Sequence, residues 1–173
     1  RKIKMDKKFL ALIIVLSVGI IGIAILVSNS TSTSNTKANV SKTTGAKIVV
    51  DHSSKKVGSI PYSGGNLIHV FPIKNAGTKD LEIANIATSC MCTKAYLKQG
   101  DNKSEGFGMK GMSASSAWKG IVKPGETAEI IADFDPTYHG PQGTGPVSRM
   151  VSFETNDPDN PYVEVSFEGE VVR

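Results

Sequence analysis

The sequence is short of cysteine, histidine and aromatic side chains, with two Cys, three His and one Trp, and only 6% Phe, Trp and Tyr together. It does not need more cysteine, because the residues after position 46 are numerous enough to bury a core without disulfide support. Cys90 and Cys92 lack the Cys-x-x-Cys spacing of thioredoxin-like enzymes, and no βαβ pattern surrounds them. There is no lipobox cysteine. No Ser-His-Asp or paired-carboxylate constellation stands out. The glycine-rich residues 140–145 (GPQGTG) have neither Walker spacing nor a following helix, which excludes a phosphate loop. The chain therefore reads as a protein that is not an enzyme.

Excess charge is also lacking once the first residues are set aside. Arg1, Lys2, Lys4, Lys7 and Lys8 against Asp6 supply the whole formal charge of +4, and acidic and basic side chains balance in the remainder. The basic isoelectric point belongs to a short head. A nucleic-acid footprint would need a basic face on the folded domain, so no nucleic-acid partner is expected.

What the chain does have is an uncharged apolar run over residues 9–27 (FLALIIVLSVGIIGIAILV). As a helix rising about 1.5 Å per residue it spans roughly 28 Å, close to the hydrocarbon thickness of a bilayer. Basic residues precede the run and none follows until Lys37. This predicts a cytoplasmic head over 1–8, a single transmembrane anchor over 9–27 and an extracytoplasmic remainder, in periplasm or at the cell surface. A cleaved signal peptide is the competing reading. The run is long for one, and Ser28 and Ser30 offer small residues but no clear A-x-A site. Residues 28–45 (SNSTSTSNTKANVSKTTG) lack the apolar surface that offsets ordering entropy, so a flexible tether is predicted there.

From Ala46 the rhythm becomes period two. Strands are expected over residues 46–51, over 66–74 with Leu67, His69, Phe71 and Ile73 on one face, and from Leu81 through Ile86 past a bulge at Ala84-Asn85. After the turn Pro124-Gly125-Glu126, Ala128, Ile130, Ala132 and Phe134 alternate. Val151, Phe153 and Thr155 follow, then the breaker Asn156-Asp157-Pro158, then Val163, Val165 and Phe167. One-sided alternation implies antiparallel sheets with one wet face. About seven short strands and no amphipathic helix predict an all-β, immunoglobulin-like sandwich over 46–173, with a small closed barrel as the other solution. Residues 98–120 (KQGDNKSEGFGMKGMSASSAWKG) interrupt this rhythm as one long loop.

GSIPYSGG, HVFPIKNAG, LEIANIATSCMCT, IVKPGETAEI and FETNDPDNPYVEVSFEGEV follow one another along the chain. In that order they resemble the bacterial DUF1573 family, related to the Ig-like ASH/MSP/HYDIN domains. Two departures from the family pattern stand close together: Met91 occupies the middle of Cys-Gly-Cys-Thr, and the 98–120 loop is long. The resemblance implies an Ig-like extracytoplasmic domain of largely uncharacterised function, with relatives that bind proteins. It implies no reaction.

The chemistry-bearing residues remain open to three readings. The first is a protein-binding or scaffolding module, with Phe107 and Trp118 on the long loop as its contact surface and exposed edge strands as a second route. The second is a soft-metal site, with Cys90, Cys92, Met91, Met109, Met112 and His139 (Met150 also nearby in kind) offering Cu(I) its sulfur and nitrogen ligands. Buried cysteine and methionine also serve simply as packing. The third is thiol redox chemistry. Residues i and i+2 of a strand lie about 6.6 Å apart by rise alone, at the far end of the range for a disulfide. Pairing would require a bend at Met91 and give a strained, easily reduced ring. His69 reads as a hydrogen-bonded core or boundary histidine, and His52 as solvated.

Overall fold

The computed structural model describes residues 16–17, 37–113 and 116–173. The predicted head, most of the anchor and residues 28–36 of the tether lie outside these residues; Leu16 and Ser17 of the anchor are helical, and residues 37–45 of the tether are described. Among the described residues no helix is long and apolar enough to cross a membrane.

The described residues form ten strands in order: β1 (Ile48–Val50), β2 (Ser54–Pro61), β3 (Leu67–Asn75), β4 (Leu81–Thr88), β5 (Thr93–Gln99), β6 (Asn102–Lys103), β7 (Lys119–Val122), β8 (Thr127–Phe134), β9 (Gly145–Thr155) and β10 (Tyr162–Val172). They form two five-stranded sheets, ordered β1-β3-β8-β5-β6 and β2-β10-β9-β4-β7. The fold is the expected all-β, Ig-like sandwich, with two differences. Its strands outnumber the expected seven, and one pairing, β2 with β10, is parallel. Of the additional strands, β2 and β6 escape a reading based on alternation because they bury little. In β2 only Ile60 is buried, and β6 is exposed throughout.

The core forms where the two alternating faces meet. Phe71 of β3, Phe134 of β8, Phe153 of β9 and Phe167 of β10 are all fully buried. Each contributes about 1.5–3 kcal/mol by leaving water. In β10, Val165, Phe167 and Val171 point inward while Glu164, Glu168 and Glu170 stay exposed. The bulge expected in β4 is present: register with β9 shifts between Ala84 and Ala87, and Asn85 has φ 52°. A second irregularity lies opposite Gly58 in β2, where a Cβ on Gly169 would come within 2.7 Å of the Gly58 carbonyl oxygen. Only glycine permits that approach.

Two expectations about irregular segments need correction. The 28–45 stretch is not tether throughout, because from Lys37 it lies against the domain. Ala38 is buried, its N–H donates to the Ser116 carbonyl, and its own carbonyl accepts from Asn85 Nδ2. These backbone bonds hold a segment whose side chains bury little. The 98–120 loop is also pinned. β6 folds back on β5, Phe107 exchanges both backbone hydrogen bonds with Ala95 at 2.8 Å, and Met109 bridges to Thr88.

A buried polar knot closes one end of the sandwich. Asp157 accepts from the Ile48 N–H at 3.0 Å, the Asp159 N–H at 2.9 Å and Asn160 Nδ2 at 3.0 Å. Asn156 accepts from the Glu82 N–H and donates to the Asp80 carbonyl. The breaker after β9 thus also ties down β1 and the start of β4.

Candidate functional site at the sheet crossover

β4 belongs to one sheet and β5 to the other, so the residues between Thr88 and Thr93 must carry the chain across the sandwich. The crossing is tight. The Thr93 N–H donates to the Cys90 carbonyl, and the Thr88 hydroxyl reaches the carbonyls of Cys90 at 2.9 Å and Thr93 at 3.1 Å. Ser89 fastens the turn to β9: its N–H donates to the Met150 carbonyl and its Oγ accepts from the Met150 N–H. This turn supplies the bend at Met91 that pairing requires. Cys90 and Cys92 are joined in a disulfide with their Cα atoms 5.2 Å apart, well inside the usual range.

Two cationic or potentially cationic side chains meet these sulfurs. Arg149 of β9 donates from Nε to Cys92 Sγ at 3.0 Å, and its guanidinium carbon lies 5.2 Å from the Phe134 ring centroid. Burial holds the Arg149 pKa below its ordinary value. His139 Nε2 lies 3.5 Å from Cys90 Sγ. It is carried by the β8–β9 connection, where Asp135 Oδ1 accepts from both the N–H and the hydroxyl of Thr137 and shapes the Asp-Pro-Thr turn. The Asp135 N–H donates in turn to the Cys92 carbonyl, which docks this connection on the crossover. Cys92 is 3% exposed, Cys90 half-buried and His139 exposed. The site is buried on the arginine side and open on the histidine side.

Of the six residues offered to a soft metal, the structure brings three together: one ligand atom each from Cys90, Cys92 and His139 lie within 4.8 Å of one another. Met91 and Met112 are exposed at 48% and 66%, and Met109 lines a neighbouring cleft. With the two sulfurs bonded to each other, neither is a thiolate, so in this state the cluster gives Cu(I) one imidazole and no thiolate. Arg149 escaped the sequence reading, although its phase contained a signal. Val147, Arg149, Val151 and Phe153 fall on one side of β9, so a charge stands among inward positions.

The contact surface sought in the long loop is arranged differently from expectation. Phe107 is 8% exposed and belongs to the core, its ring 5.1 Å from that of half-buried Trp118. It has little surface to offer a partner. The segment around it instead walls a cleft of about 660 Å³ over the β4 bulge. Ile86, Ala87 and Met109 contribute apolar surface, while Lys37, Glu105 and Glu154 contribute charge. Asn85, turned by its positive φ, donates to Glu154 Oε2 at 2.7 Å, and Lys37 pairs with the same carboxylate.

The histidines also differ from expectation in one respect. His69 is the boundary residue foreseen, edge-on to Phe71, but His52 is only partly solvated. Asp51 Oδ2 lies 2.9 Å from His52 Nδ1, and the two Nε2 atoms of His52 and His69 are 3.2 Å apart. Burial first, then the charges of His52 and Lys55, lower the His69 pKa from its ordinary value. An unfolded chain therefore takes up this proton before the folded one does. Stability should be full above the ordinary histidine pKa of about 6.5 and decline as pH falls below it. Chemical denaturation at a series of pH values should show that decline, and His69→Gln should flatten it.

The architecture and site define an Ig-like β-sandwich with a disulfide at its sheet crossover. Residues 48–105 match the family model DUF1573, a protein of unknown function, so the resemblance carried by the motifs holds over that stretch. No curated protein matches. Among solved structures, the chain is similar to a protein of unknown function from Porphyromonas gingivalis W83, at 17% identity and a TM-score of 0.55. That likeness covers 76% of this chain and 49% of the other, so the chain spans about half the length of that relative. It is also similar to the ASH/PapD-like domain 7 of human CEP192, at 17% identity and a TM-score of 0.44, over 82% of this chain and 96% of that one. At such identities the first likeness speaks for the fold alone.

Proposed function

We propose that this chain is a membrane-tethered, extracytoplasmic binding module, not an enzyme, and that the cleft over the β4 bulge receives a segment of a protein partner. The observation that carries this reading is the cleft itself. It is concave, about 660 Å³ in volume, and lined by apolar Ile86, Ala87 and Met109 together with charged Lys37, Glu105 and Glu154. Apolar linings with a few placed polar groups are what binding sites commonly present. A position outside the membrane is supported by the basic head and apolar run of residues 1–27, and by a disulfide, which persists in oxidising compartments.

The test is site-specific photocrosslinking of the full chain in its native membranes. A crosslinker at Met109, in the cleft wall, should trap a protein, and one at exposed Glu168 of β10 should not. Ala87→Trp, which adds a bulky ring to the lining, should weaken capture at least about tenfold. Equal trapping from both positions, or capture indifferent to Ala87→Trp, would reject the cleft.

A further inference from the structure

The Cys90–Cys92 bond has one accessible sulfur and one sheltered sulfur, and each faces a different group. Cys90 is half-buried beneath exposed His139, whereas Cys92 is buried against the Arg149 guanidinium. A disulfide that only fastened a turn would need neither neighbour. In exchange chemistry a thiolate attacks one sulfur and the other departs with the bonding electron pair. The reaction is fastest where the attacked sulfur can be reached and the departing charge is met.

We propose that Cys90–Cys92 is a thiol–disulfide exchange site for a dithiol, with Cys90 Sγ the atom attacked and Cys92 the leaving group. One thiol of the dithiol loses its proton and bonds to Cys90 Sγ as the Cys90–Cys92 bond breaks. The electron pair goes to Cys92 Sγ, whose new negative charge lies 3.0 Å from Arg149 Nε. The second thiol of the dithiol gives up its proton, which the Cys92 thiolate takes, and its sulfur attacks the first dithiol sulfur held on Cys90, closing the dithiol's disulfide as Cys90 departs with the bonding electron pair. His139 Nε2, 3.5 Å from Cys90 Sγ, is placed to take the proton of the incoming thiol and return it to Cys90. The dithiol loses two electrons and two protons, and the protein's cysteines gain them. The cleft over the β4 bulge is not involved, so this inference stands apart from the binding reading.

The full chain is treated with a monothiol, 2-mercaptoethanesulfonate, quenched in acid and mapped by peptide mass. The adduct should sit on Cys90. An adduct on Cys92, or an even partition, overturns the assignment. Reduction by dithiothreitol should be faster for the native chain than for the same chain in urea. Slower reduction of the native chain would show a structural staple and end the proposal. Arg149→Gln should slow native reduction at least about tenfold, and Arg149→Lys should recover most of it. An unchanged rate in Arg149→Gln removes the guanidinium from the reaction. Offering dithiothreitol and a reduced Cys-x-x-Cys protein at equal thiol concentration tells whether the site prefers a small or a protein dithiol.

Discussion

Truncating Phe107 to alanine should destabilise the domain by about 3–5 kcal/mol, the usual cost of removing a core aromatic. The residue lies in glycine-rich sequence that reads as surface loop, where substitutions ordinarily fall within about 0.5 kcal/mol. The structure places its ring in the core against Trp118 and its backbone in register with Ala95. Loss of the ring would leave a cavity that Trp118 cannot fill without shifting. Urea denaturation of the full chain measures the effect, and Met112→Ala, at a side chain 66% exposed, is the control that should stay near wild type. Because the chain has one Trp, its fluorescence should shift to longer wavelength in Phe107→Ala as Trp118 gains water. A loss of under about 1 kcal/mol would mean that the segment packs less closely than described.

Asp157→Ala should cost roughly 3 kcal/mol, because it leaves the buried Ile48 N–H, the part-buried Asp159 N–H and the Asn160 amide without their acceptor. The carboxylate also sets a pH dependence. Burial alone would raise the Asp157 pKa, but hydrogen bonds from Asn160 and from the Ile48, Asp159 and Asn160 N–H groups outweigh it and hold the value below that of an ordinary aspartate. A lowered carboxylate pKa gives stability that is fully present above the unfolded value of about 3.9 and is lost as pH falls toward the folded value. Acid titration of wild type should show this loss. Asp157→Asn should be less stable at neutral pH and less sensitive to acid. If the two proteins lose stability in parallel below about pH 4, the carboxylate is not the group responsible.

Much of the sandwich is legible because β3 and β10 each place one face in the core and the other toward water, while β8 buries Ala128, Ile130, Ala132 and Phe134 in strict alternation. Their residues therefore carry the period on their surface: Phe71 and Ile73 against Pro72 and Lys74, Val165 and Phe167 against Glu164 and Glu168. β2 carries no such mark, since its one buried residue is Ile60 and its partner strand lies far along the chain. β5 carries one, in Thr93, Ala95 and Leu97 between Lys94 and Lys98, but it is short and lies between the crossover turn and the long loop. The crossover site was half legible. Residue type alone points to Cys90, Cys92 and His139, yet the turn at Met91 depends on Ser89 and Thr88 bonding to neighbours in space. Arg149 needed the phase of β9. The buried role of Asn156 and Asp157 was hidden because Glu82 and Ile48 lie in remote sequence. Phe107 misled because a ring among glycines looks exposed until its strand partner Ala95 is known.

The parallel pairing of β2 with β10 has a consequence for how the chain matures. Ser54 finds Ser166, and Pro61 finds Val172, only when nearly all of the intervening polypeptide has been made. β10 also separates β2 from β9, so the second sheet cannot be completed in the order of synthesis. Such distant pairings delay closure, and sandwiches of this kind gain their native state in milliseconds to seconds, not microseconds. In that interval an early-made ribbon with an unsatisfied backbone edge waits for its mate, which is when a nascent molecule of this design is most open to wrong liaisons.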